Sequence, residues 1–274
     1  MKQVLFVLVA MFVATLAACS TSNQYEIAEG NTLRVGLEAA YAPYNWTTTT
    51  TNAYTVPLSG QVGAYVDGYD VVIASEIADE LGLELEIYAI EWDGLIPALV
   101  SNQIDVIIAG MSPTPERAQT VSFSGEYYRA TQVMVVRDDS AYADATSLDD
   151  FMNATVVAQL GTLQDDLIDQ ITDVDHATPM DSYNAITQAV RSGEADAFIA
   201  ELPVAMGITQ ANSDLTYVEL THGFEVSDAD VTSAIAMRQS DTDLLVAINT
   251  VLASISTETR DLWMSAALDR QPEE

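Results

Sequence analysis

Apolar residues along the chain come in short bursts whose spacing switches between two and about 3.6 residues. Residues 33–37 and 83–90 alternate and read as strands. Between them, Ile73, Ile77 and Leu81 share one face of a helix that Asp70 caps and Gly82 stops. Asp93 caps a further helix through Leu95 and Leu99, and 105–109 reads as a buried strand. Residues 45–63, rich in Thr, Asn and Gly, read as a long loop or hairpin. A second unit of the same kind follows. Strands are expected at 155–159 and 196–200, a helix follows Gly161-Thr162, and Asp181 caps another helix ending near Gly193. Strands at 131–137 and 231–238 are placed to cross between the units, and helices at 241–255 and 259–268 close the chain. Such alternation implies an α/β class with largely parallel sheets. Two lobes joined by two strands are therefore expected: 31–135 with 237–274 as lobe 1, and 136–236 as lobe 2.

Hydrophobic residues make up 49% of the chain, enough for one or two sizeable cores. There are 41 acidic residues against 9 basic ones, a formal charge of −32. Nucleic acid and anionic membrane surfaces are excluded as expected partners. The acids are scattered, which fits a solvated surface better than a disordered tail. An acidic surplus with lysine confined to Lys2 resembles adaptation to high salt; an acidic extracytoplasmic protein from an ordinary habitat is the alternative.

Lys2 and the apolar run 4–16 have the form of an export leader, shorter than the about 20 residues of a membrane span. Leu16-Ala17-Ala18-Cys19 resembles a bacterial lipobox. That resemblance implies removal of 1–18 and lipidation of Cys19 as the new N-terminus. An ordinary secretory signal with an incidental cysteine is the competing reading. Residues 19–30 then form a linker, and one cysteine permits no internal disulfide. Without Lys2 the charge is near −33 (−32 minus one positive charge).

Candidate chemistry centres on 104–117, Ile-Asp-Val-Ile-Ile-Ala-Gly-Met-Ser-Pro-Thr-Pro-Glu-Arg. A strand runs into a Gly-Ser turn, and a helix is expected to open at Thr114 with Pro115 first and Arg117 in its first turn. This arrangement suits a carboxylate: turn N–H groups, the Ser112 hydroxyl and the planar fork of Arg117 converge. His176 and His222 belong to no ligand-spaced cluster and read as surface residues, so no metal is expected.

Taken with Leu33–Tyr44 (LRVGLEAAYAPY), Gly68-Tyr69-Asp70-Val71, Trp92–Leu99 (WDGLIPAL), Phe123-Ser124 with Tyr127-Tyr128, Gln159-Leu160-Gly161-Thr162 and Asp196–Ala205 (DAFIAELPVA), the chain resembles the extracellular solute-binding proteins of family 3. These are the amino-acid receptors of ABC importers. The resemblance covers nearly all of 31–257 and rests on the order and spacing of the runs. It implies a two-lobed periplasmic-binding-protein-like fold of type II closing around one free amino acid. It further implies an ABC permease as partner, no cofactor, a monomer, and an extracytoplasmic location with membrane contact through the lipid anchor alone. By the same resemblance, Arg117 grips the α-carboxylate, assisted by Ser112 and the Thr162 N–H. Glu201 receives the α-ammonium, helped by the Gly110 carbonyl. Tyr41 and Trp92 sandwich the ligand side chain, and Glu38 stands near its far end, as in receptors for basic amino acids. Gln159 is expected to support its loop rather than touch ligand.

Some positions depart from the family pattern. The 45–63 stretch is long, Leu163 replaces a threonine, Leu202 an acid, and Ala109 a serine. Lysine, arginine or ornithine fits Glu38 best, with glutamine as the neutral alternative. Two other classes compete with transport: a dehydratase on the same fold, resembling those acting on cyclohexadienyl amino-acid precursors, and a sensor domain. Each pocket residue already has a zwitterion-binding role, which leaves no general acid for an enzyme.

The surface charge generates a test. Salt at 1 M shortens repulsion between charges to about 3 Å, so the melting temperature followed by calorimetry should climb steeply between low and molar KCl. A flat curve would point to the ordinary habitat.

Overall fold

Leu33, Val35 and Leu37 alternate along Thr32–Leu37 (β1), and all three are fully buried. This strand opens the first sheet in a computed structural model that describes residues 24–272. The expected leader, 1–18, and Cys19 lie outside the described residues. Ala40–Tyr41 (β2), Asn45–Thr48 (β3), Val56–Pro57 (β4) and Tyr65–Asp67 (β5) lead into the helix Tyr69–Leu81 (α1). Glu84–Ala89 (β6), the helix Leu95–Val100 (α2), Val106–Ile107 (β7) and Val121–Arg129 (β8) follow. The second unit holds Gln132–Arg137 (β9), Thr155–Val157 (β10), Leu163–Ile168 (α3), Asp175–His176 (β11), Tyr183–Ser192 (α4), Ala197–Glu201 (β12), Leu202–Ala211 (α5) and Leu215–Val218 (β13). Thr232–Arg238 (β14) and the helices Thr242–Ser254 (α6) and Thr257–Arg270 (α7) return to the first.

Two five-stranded sheets result, ordered β6-β1-β7-β14-β8 and β11-β10-β12-β9-β13. Each has a parallel trio, with β1 between β6 and β7 and β10 between β11 and β12. Antiparallel strands extend each trio: β14 and β8 in the first sheet, β9 and β13 in the second. The expected crossing strands each pair within one sheet. The chain changes sheets in the bend at 130–131 and again before β14, because a strand keeps its ladder only with the sheet it lies in. The two passages touch, with Ala130 N–H donating to the Val231 carbonyl at 3.0 Å.

Apolar runs are continuous where both faces are covered. Along β9, Val133 and Val135 join the large core shared by the two units, while Met134 and Val136 enter a separate core under the second sheet. All four are buried, so a period of two sorts one run into two cores.

Several local expectations change. The 45–63 stretch contributes β3 and β4 to a four-stranded sheet, β2-β3-β5-β4. Its tip is tied down: Asn52 Nδ2 and Arg270 both donate to Asp67, and the Arg270 guanidinium lies 4.0 Å from the Tyr54 ring centroid. Asp70 is no cap; α1 begins at Tyr69 after Gly68, and Asp70 is buried one residue inside it. Asp93 falls in a single 3₁₀ turn, Trp92–Gly94, and Gly94 precedes α2. Ser182 rather than Asp181 caps α4 by accepting from Ala185 N–H. No α-helix opens at Thr114. Pro113 and Pro115 favour extended backbone in the residues before them, and only a 3₁₀ turn, Arg117–Gln119, forms.

Candidate ligand-binding site

Parallel strands leave a crevice beyond their carboxyl ends, where the following loops diverge. Here Glu38 follows β1, Trp92 follows β6, Gly110 and Ser112 follow β7, Gln159 and Thr162 follow β10, and Glu201 ends β12. These residues meet at one cavity together with Tyr41, Ala109, Arg117, Leu163, Gln164 and Tyr183. The structure therefore gathers all eight residues singled out by sequence: Glu38, Tyr41, Trp92, Gly110, Ser112, Arg117, Thr162 and Glu201. Behind it, past Tyr41 and Tyr183, lies a larger groove bordered by Ala39, Ala42, Val204 and Ile208 and by no charged side chain. Of these two, the smaller cavity offers charged groups for a zwitterion.

A buried hydrogen-bond chain sets the first-sheet half of this cavity. Ala39 N–H donates to Asn45 Oδ1 at 2.7 Å, and Asn45 Nδ2 donates to Asp70 Oδ2 at 2.8 Å. Tyr127 donates its hydroxyl hydrogen to Asp70 Oδ1 at 2.7 Å and accepts from Gly110 N–H at 2.7 Å. Asp70 thus fixes the loop bearing Glu38 and Tyr41 and the turn bearing Gly110 and Ser112. Burial raises its pKa to about 7 against the pull of these bonds. Gly110 has φ +62°, and a Cβ there would stand 3.2 Å from the Tyr41 ring, so glycine is required twice over.

Arg117 donates from Nη1 to the Ser112 carbonyl at 2.9 Å and from Nη2 to the Gly161 carbonyl at 3.2 Å. Its guanidinium lies 5.1 Å from the Trp92 ring centroid and makes no ion pair among the described residues. Burial lowers its pKa, with Asp166 and Glu116 pulling the other way. Two carboxylates line the same cavity as this cation. Glu201 is buried, its Oε2 lacks a hydrogen-bond partner among the described residues, and burial raises its pKa to about 8. Glu38 accepts from Gln159 Nε2 at 2.6 Å; burial raises it to about 7, opposed by that bond and reinforced by Glu91.

Three roles differ in detail from the expectations. The Thr162 N–H and hydroxyl both donate to the Gln159 carbonyl, at 3.3 and 2.8 Å, and Thr162 caps α3 by accepting from Asp165 N–H. Tyr41 stacks on Tyr44 at 5.3 Å between ring centroids, while Trp92 carries Arg117 on its face. Gln159 borders the cavity, supports its loop through the Asp181 carbonyl and also reaches Glu38. Gln164 and Tyr183 were not anticipated; their helical positions give no local sign of the cavity they face. His176 and His222 are exposed, as expected, with His176 held between Asp165 and Asp169.

Two lobes, one cavity at facing strand ends and charges of both signs define a solute-binding protein of the two-lobed class. Residues 33–261 match the bacterial extracellular solute-binding proteins of family 3, and the chain belongs to that family. The arginine-binding extracellular protein ArtP of Bacillus subtilis is 32% identical, the match covering 92% of each chain. An amino acid ABC transporter substrate-binding protein from Streptococcus pneumoniae, solved bound to L-arginine, superposes with a TM-score of 0.74 at 26% identity, over 87% of this chain and 94% of that one. An ancestral arginine-binding protein solved bound to glutamine gives a TM-score of 0.70 at 28% identity, over 87% and 98%. These relatives are amino-acid-binding proteins by name, and the Streptococcus protein is a substrate-binding protein of an ABC transporter.

If Arg117 holds the ligand carboxylate, Arg117→Ala leaves that anion buried and unpaired. Calorimetry with amino acids should then show a loss of roughly 2–5 kcal/mol, about 30-fold to several thousand-fold in affinity. A change under about fivefold would remove Arg117 from the site.

Proposed function

We propose that this chain captures a basic amino acid, arginine foremost, and hands it to the permease of an ABC importer. The observation that carries this reading is the charge pattern of the cavity: one guanidinium, Arg117, with two carboxylates, the buried Glu201 and the half-buried Glu38. A basic amino acid is its complement, with one carboxylate and two cations. Arg117 takes the α-carboxylate through N–H groups left over from its two carbonyl contacts, with Ser112 and the Thr162 turn beside it. Glu201 takes the α-ammonium at its unpartnered Oε2, near the Gly110 carbonyl. Glu38 takes the distal cation, and Tyr41 and Trp92 flank the methylene stem. A zwitterion leaving water must find partners for every charge, and no single lobe supplies them all. On this reading the lobes divide at 130–131 and at 231, and they close as ligand binds. The chain acts as a monomer, without catalysis, and a lipid on Cys19 holds it outside the cell at the membrane. The small residues before the chain's only cysteine support that anchor.

Glutamine is the second reading. Glu38 already accepts from an amide, that of Gln159, and the ancestral arginine-binding relative was solved with glutamine. The variant Glu38→Gln separates the two. Isothermal calorimetry should show arginine weakened by about 1.5–3 kcal/mol, roughly 10- to 150-fold, with glutamine almost unaffected. Unchanged arginine affinity would leave a neutral amino acid as the substrate.

The raised carboxyl groups give an independent check on the same choice. Each must be ionised to receive a cation, and below its pKa a proton has to leave first. Affinity should therefore fall as pH drops through about 8 for Glu201 and about 7 for Glu38. Each contributes at most about tenfold per pH unit. Arginine engages both groups and should lose affinity more steeply from pH 8 to 6 than glutamine, whose distal amide tolerates a protonated Glu38. Equal slopes would detach Glu38 from the distal charge.

A further inference from the structure

Among the described residues, three hydrogen bonds join the two lobes around the cavity. Trp92 Nε1 donates to the Gly161 carbonyl at 3.1 Å, and Arg117 Nη2 donates to the same oxygen at 3.2 Å. Gln159 Nε2 reaches Glu38 from the opposite lobe at 2.6 Å. Trp92 and Arg117 stand on loops of the first sheet, and Gly161 on a loop of the second. The Trp92 face supports the Arg117 guanidinium, which braces the two donors side by side. Gly161 turns its carbonyl toward them with φ +70°, a conformation that suits glycine. Trp92 also borders three spaces at once: the inner cavity, an opening beside Glu38 and Asp181, and another beside Thr114 and Asp166. Trp92 and Asp93 are common to both openings.

We propose that the indole N–H of Trp92 is the latch of the closed lobes: shared with Arg117 at the Gly161 oxygen, it favours closure and sets how fast bound amino acid leaves. The role is distinct from packing of the ring against a ligand stem. It rests on the proposed function for the location of the site and not for the identity of the amino acid. A bond made only when the lobes meet shifts their equilibrium by its own net strength. Opening must break it, so the dissociation rate carries the effect. Phenylalanine keeps an aromatic face for Arg117 and the ligand and lacks the donor, and comparison with Trp92→His, a smaller ring that restores an N–H, separates loss of the donor from loss of ring area.

Small-angle scattering on the protein without amino acid reads closure directly. Trp92→Phe should have a larger radius of gyration than the wild type. Stopped-flow with L-arginine should show dissociation roughly 3- to 10-fold faster, the range of one neutral hydrogen bond, with association no slower. Trp92→His restores an N–H and should move both readings back toward wild type; thermal melts followed by circular dichroism verify that each variant folds. Identical scattering for wild type and Trp92→Phe overturns the latch, and so does an unchanged dissociation rate. Failure of L-arginine to bind the wild type counts against the basic-substrate reading instead and leaves the scattering comparison intact.

Discussion

A carboxylate buried without a cationic partner is costly, and the first lobe is arranged around one. Asp70 is fully buried, and its oxygens are satisfied by Asn45 and Tyr127 rather than by an arginine. Those two partners pass the constraint outward, Asn45 to the backbone of Ala39 and Tyr127 to the backbone of Gly110. Both loops that carry the first-lobe half of the cavity therefore hang from one side chain. Removing any member of the chain would leave a buried donor or acceptor unpaired, which costs more than the bond itself is worth. The site inherits its rigidity from that penalty.

The cavity shows the opposite economy. Arg34, Arg129, Arg137, Arg191, Arg238 and Arg270 all pair with carboxylates. In a chain with 41 acidic residues this is the expected fate of a guanidinium. Arg117, like Arg260, bonds to two carbonyls instead and adds an indole face, and Glu201 has an oxygen left over. Charges held apart in this way suit the zwitterion of the proposed function, which would pair them only through itself. Arg117 stands on one sheet unit and Glu201 on the other, so under the proposed function capture and lobe closure are one event.

Local signals served well where the physics is local. The αL glycines Gly82 and Gly193 end α1 and α4 as their sequence positions indicate, and Thr162 caps α3. Misplaced caps at Asp70 and Asp93 show the limit. An aspartate before an apolar run is a cap by propensity, yet Asp70 is drawn into the core by Tyr127, 57 residues away. The Thr114 helix failed for a different reason, since one proline suits a helix start while two flanking Thr114 hold the chain extended.

The sequence by itself determined the alternation of strands and helices, the acidic surface, and the ordered runs that place the chain in its family. It also held Arg117, Glu201 and Glu38, because a family motif travels with its residues. Only the tertiary structure decided which strands share a sheet, that both strands expected to cross each stay within one, and that Gln159 meets Glu38 across 121 residues of chain. Periodicity reports which face of an element is buried and not what it is buried against. Partners distant in sequence are chosen by packing and by the need to satisfy buried polar groups, and both exist only once the chain has folded.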